Sequence, residues 1–80
     1  MQFVTRKTDA LKVLGERIAT LRRERDLTQE QLAERAGVSR NHIADIELGA
    51  RNTGVWSLIL VARALNVAPS ELLRPFDKRR

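Results

Sequence analysis

The sequence predicts an all-α fold of five helices, on three observations. Apolar residues recur at three- and four-residue spacing in successive segments. No segment shows the strict alternation of a half-buried strand. Cap-forming residues and glycine stops also fall where such helices would begin and end. With 80 residues, 42% of them hydrophobic, the chain can fill one small core and not two. Residues 1–80 therefore read as a single domain, without internal repeat, low-complexity tract or interdomain linker.

In the first helix, Leu11, Leu14, Ile18 and Leu21 form the apolar stripe, Thr8 or Asp9 is the expected N-cap, and the end falls near Arg25 or Asp26. The stretch TQEQLAERAG is the second. Thr28 followed by Gln31 has capping-box spacing, Leu32 and Ala36 face inward, and Gly37 is the left-handed stop. Only Val38 separates it from Ser39, which caps a third helix, RNHIADIEL, that Gly49 closes. Its apolar side is Ile43 and Ile46, which leaves a polar face to be explained. The fourth helix, VWSLILVARALN, is weakly capped by Gly54, places Val55, Leu58, Val61, Ala62 and Leu65 on one apolar face, and breaks at Val67, Ala68 and Pro69. Pro69 then opens a short last helix, SELL, with Glu71 near its positive end. Residues 1–7 and 77–80 are the expected mobile ends.

Charge points to a polyanionic partner. The net charge is +5 on so small a chain, and the isoelectric point is about 11.1. Nucleic acid ranks ahead of an anionic membrane surface, and solubility alone is the plainer explanation of the basic residues. The absence of cysteine excludes a disulfide framework and a thiolate metal site, and a single histidine cannot build a zinc site alone. No metal and no cofactor are expected. No apolar run approaches the roughly 20 residues of a membrane helix, and the N-terminus lacks a signal-peptide core, so a soluble cytoplasmic protein is the expectation. No paired carboxylates, glycine-rich phosphate loop or Ser/His/Asp spacing suggests an enzyme.

A helix, a short glycine-containing turn and a second helix, held in a compact bundle, can lay one helix in the DNA major groove while its predecessor bridges the backbone. From Leu14 to Leu73 the chain resembles the lambda-repressor-like helix-turn-helix family, the Cro or XRE family, in LGERIATLRRERDLTQEQLAERAGVSR, then IELGARN, then SLILVARALNVAPSELL. The resemblance implies a compact five-helix DNA-binding domain with its helix-turn-helix core over 14–73. Within that family, the pattern RN, four residues, SL, then VARAL is similar to the controller proteins of restriction-modification systems. A transcriptional regulator is thereby expected, one that binds a roughly palindromic double-stranded operator as a homodimer and blocks or recruits RNA polymerase. Two departures stand out. Thr53 and Gly54 replace the proline and hydroxyl residue that many members carry before the fourth helix, and the first thirteen residues, with Phe3 and Val4, precede the usual start.

The resemblance also assigns roles that residue chemistry can be weighed against. Arg40 and Asn41 fall at the base-reading start of the third helix. Arginine can bond guanine O6 and N7, and asparagine adenine N6 and N7; the alternative is a solvated charge or phosphate contact for Arg40 and a polar surface residue for Asn41. Ala44 offers a methyl to thymine or is merely a good helix former. Asp45 accepts from cytosine N4 or, the favoured reading, holds Arg40 or Arg51 in place or reduces non-specific affinity. The DNA-backbone group comprises Thr28, Gln29, Ser39, His42, Arg51 and Asn52. Thr28 reads first as a cap whose amide and its neighbours would meet a phosphate, Gln29 bonds phosphate or braces Arg40, and His42 is equally readable as structural. Arg22 and Glu47 match a buried salt bridge that joins the first and third helices in similar domains. Trp56, Ile59, Leu60 and Arg63 lie on a second side of the fourth helix and are assigned to the dimer interface, Leu60 ahead of Trp56. Trp56 packed under the N-terminal extension or the last helix is the alternative. Two rival functions remain open: an antitoxin that holds a toxin through that apolar side, and a pure protein-interaction module.

Overall fold

The computed structural model describes residues 6–77, so the expectations for Phe3, Val4 and the extreme ends lie outside the described residues. Among the described residues the chain is entirely helical, without strands. Helix α1 spans Lys7–Glu24, α2 Gln29–Ala36, α3 Arg40–Leu48, α4 Val55–Ala64 and α5 Pro69–Leu72, and a 3₁₀ turn follows at Arg74–Phe76.

The start of α1 corrects the sequence reading. Arg6 is the N-cap, with no side-chain bond, and its carbonyl accepts from the Ala10 amide at 2.9 Å, so Thr8 and Asp9 sit inside the first turn. There the Asp9 carboxylate complements the positive helix end without capping it. The next two starts are capped by side chains: Thr28 Oγ1 accepts from the Gln31 amide, and Ser39 Oγ from the His42 amide, both at 3.0 Å.

The first four helices share one manner of ending. Each closes on a left-handed residue, at Asp26, Gly37, Gly49 and Asn66. The amide one residue further on reaches back to a carbonyl in the last turn, as Val38 to Ala33 at 3.0 Å and Val67 to Ala62 at 3.0 Å. The fourth helix therefore stops before Asn66, ahead of the expected break at Val67 to Pro69. Asparagine and aspartate tolerate this backbone better than other non-glycine residues, which explains how two of the four ends lack glycine.

The helices enclose one core. α1 packs on α3, α2 on both α3 and α4, and α5 closes the far end of α4 against α1. Ile18, Leu32, Ile43, Val61, Leu65 and Leu72 are fully buried. Each such side chain contributes about 1.5–3 kcal/mol by leaving water, and α3, too short to persist alone, depends on Ile43 and Ile46 for its place. Val55 does not join this face: it is 72% exposed at the first turn of α4, where no neighbouring helix covers it.

Candidate nucleic-acid interface

Two helix N-termini are the natural starting point for an anion-binding surface, because their first amides lack intrahelical acceptors. At α3, Ser39 satisfies the His42 amide, and the side chains of Arg40 and Asn41 stand exposed with no hydrogen bond among the described residues. At α2 a full capping box forms, with Gln31 Oε1 accepting from the Thr28 amide at 2.9 Å. That corrects one expectation, since the Thr28 amide is occupied and only the Gln29 and Glu30 amides remain to meet a phosphate.

The other end of α3 is tied down. Arg22 Nε donates to Glu47 Oε2 at 2.7 Å, Arg22 Nη2 to Glu47 Oε1 at 3.1 Å, and Arg22 Nη1 to the Leu27 carbonyl at 2.8 Å. The two side chains are 12% and 6% exposed, so the pair is held away from bulk water. Gln29 Nε2 donates to the same Glu47 carboxylate at 2.9 Å. One carboxylate thus joins α1, the start of α2 and α3. The Gln29 amide faces Glu47 and does not brace Arg40, because a buried carboxylate with a free lone pair is the stronger acceptor nearby.

On the following loop, Arg51 Nη2 lies 3.4 Å from Asp45 Oδ2, and both side chains are close to half exposed. Asp45 therefore holds Arg51 and not Arg40. Asn52 is exposed, and Ala44 is half-buried. His42 Nε2 is buried with no hydrogen-bond partner among the described residues, as is Thr53 Oγ1, so that ring nitrogen does not face a phosphate. No group of residues suited to holding a metal ion occurs among the described residues, and no described helix is long and apolar enough to cross a membrane.

Residues 18–72 match the Helix-turn-helix family. The chain is also 41% identical over 70 residues to the uncharacterized HTH-type transcriptional regulator y4dJ of Sinorhizobium fredii, a match spanning 88% of this chain and 91% of that protein. The chain belongs to the helix-turn-helix family of DNA-binding transcriptional regulators. Control protein C.SmaI of Serratia marcescens is 38% identical to this helix-turn-helix protein over 65 residues, 81% of this chain and 77% of that one. Among solved structures, the restriction-modification controller protein C.AhdI of Aeromonas hydrophila superposes with a TM-score of 0.77 at 35% identity, covering 78% of this chain and 94% of that one.

The second side of α4 differs from its expected ranking. Trp56 is 65% exposed, so the last helix does not cover it. Leu60 is half-buried and packs against the core, Ile59 is half-buried, and Arg63 is exposed. Trp56 and Val55 are thus the large apolar side chains most open to a partner on this helix. Leu48, at the last turn of α3, is 71% exposed as well and was not part of any expected surface.

Residues outside the expected site also orient this helix-turn-helix protein. Arg17 joins α1 to the last helix through the Glu71 carbonyl at 2.9 Å and carboxylate at 3.1 Å, and Arg25 Nε donates to the Leu65 carbonyl at 2.6 Å. None of these three bonds has a signal in the sequence, because an arginine on a helix reads as solvated whichever way it turns. Gly15 does carry one: a glycine inside an otherwise regular helical stripe marks a close approach of backbones.

Proposed function

We propose that the protein binds a roughly palindromic DNA operator as a homodimer, with α3 of each copy in successive major grooves about one helical turn, ~34 Å, apart. The observation that carries this reading is the contrast within α3: Arg40 and Asn41 stand exposed at its first turn with no hydrogen bond among the described residues, while Glu47 is locked to α1 and α2 at its last. A free arginine and asparagine on a fixed helix suit the bidentate recognition of guanine and adenine. Ala44 and Asp45 lie further along the same helix, Asp45 holding Arg51 toward the backbone. The Gln29 and Glu30 amides, the Ser39 hydroxyl, Arg51 and Asn52 would bond phosphate on either flank and position the reader without reading sequence.

Pairing of copies rests on the open side of α4. Trp56, with Ile59, Leu60 and Arg63, would bury its apolar surface against the same surface of a second copy about a two-fold axis. Similarity to C.SmaI and C.AhdI supports a cytoplasmic regulator of restriction-modification genes, which would block or recruit RNA polymerase from its operator.

Selection of bound sites from random duplex DNA tests the reading. Two inverted half-sites centred about 10 base pairs apart are expected. A selected pool with no common motif, or a single unpaired half-site, would overturn it.

A further inference from the structure

We infer that Gly15 is a positioning residue that sets the angle and depth at which α3 is presented to DNA. The inference rests on the reading of α3 as the DNA-reading helix and deepens it. Gly15 is buried in the interior of α1. A Cβ there would lie against the Ile46 carbonyl oxygen, 2.5 Å from the Glu47 carbonyl oxygen and 2.8 Å from the Glu47 carbonyl carbon. All of these are backbone atoms in the last turn of α3, so no side-chain rotation relieves the contact. For Glu47 to reach ordinary contact at 3.4 Å, α1 and the end of α3 must draw apart by about 1 Å, the difference between 2.5 and 3.4 Å.

The neighbouring contacts make this approach part of one device. A Cβ on Gly49 would meet Lys12 Cα and the Lys12 amide nitrogen, both at 2.9 Å, so α1 also touches the chain just beyond α3 backbone to backbone. Arg22, about two turns beyond Gly15 on α1, then bonds Glu47 at 2.7 Å. Gly15 and Arg22 therefore hold the last turn of α3, and Lys12 its C-cap Gly49, along one side of α1. Glycine is a poor residue for a helix interior, and what it provides here is the missing Cβ. Bonds from side chains to base edges require placement within about 0.5 Å, less than the retreat that an alanine would impose.

The test compares the full-length protein with Gly15→Ala, using the operator selected by the wild type and a random duplex at low salt, at a temperature where circular dichroism shows both proteins folded. The ratio of operator to random-DNA affinity is expected to fall about tenfold, the discrimination that one bidentate base contact supplies, while random-DNA affinity stays within about twofold. Gly54→Ala, whose Cβ meets nothing within 4 Å, should keep the wild-type ratio. A lower melting temperature with an unchanged ratio would overturn the inference, since a residue that only packs does not alter discrimination. If Gly15→Ala does not fold, it is measured in a Gly54→Ser background, which gives α4 the side-chain cap it lacks. Failure of both to fold would also overturn the inference, by showing a position that tolerates no adjustment. Wild-type protein that does not distinguish its selected site from random DNA would instead sink the underlying reading, and that result is obtained without any substitution.

Discussion

The two ends of α3 are built on opposite principles. Its first turn presents the side chains of Arg40 and Asn41, exposed and without hydrogen-bond partners among the described residues, and its last turn gathers a buried carboxylate, an arginine, an amide and the bare backbone of α1 within bonding or contact distance. The difference teaches how a nine-residue helix can read a surface. Selectivity needs side chains free to meet bases, and freedom at one end is useful only when the other end cannot move. Under the proposed function, the bonds to Glu47 fix the C-terminal turn and leave the N-terminal turn to meet the bases.

The largest effect should come from breaking the fixed end. Glu47→Gln leaves the buried Arg22 charge without its counterion, and thermal melting should show a loss of about 3–5 kcal/mol. An unchanged melting temperature would mean that the pair contributes nothing to holding α3. The free end should respond in the opposite currency. Arg40→Ala should leave stability within about 0.5 kcal/mol of wild type and remove about 1–3 kcal/mol of discrimination at a single base pair. Equal losses on operator and random DNA would remove Arg40 from the readers. Between the two lies Arg51, tied loosely to Asp45. Arg51→Ala should weaken binding to all sequences alike and lower the slope of log K against log salt by about 1, read from titrations at several salt concentrations. A loss confined to the operator would make it a base reader. The smallest effect concerns a helix end remote from α3: Asn66→Gly should raise stability by about 0.5 kcal/mol, because glycine adopts the left-handed backbone at φ 60 without a Cβ penalty. A melting temperature that falls would show that the asparagine side chain has a role there.

Helix starts and stops were legible in the sequence where a residue can satisfy the backbone locally. Thr28 with Gln31, Ser39, Gly37 and Gly49 all act within a few positions of themselves, and the structure places α2 and α3 between them. The start of α1 and the end of α4 were not legible, because Arg6 caps nothing with its side chain and Asn66 is only one of several residues able to turn left-handed. The Arg22 and Glu47 pairing came from resemblance to a family and not from spacing, since the two residues lie on different helices.

What the sequence by itself determined is the set of helices, the one core they share and the presence of a polar face on α3. These follow from periodicity and capping, which are properties of neighbouring residues. Only the tertiary structure decided which arginines are spoken for, that Gln29 turns to Glu47, that Trp56 lies open while Leu60 is half covered, and that Gly15 lets two backbones touch. Those outcomes depend on distances between segments remote in the chain, and a side chain's partner is set by what the packed helices bring within about 3 Å of it.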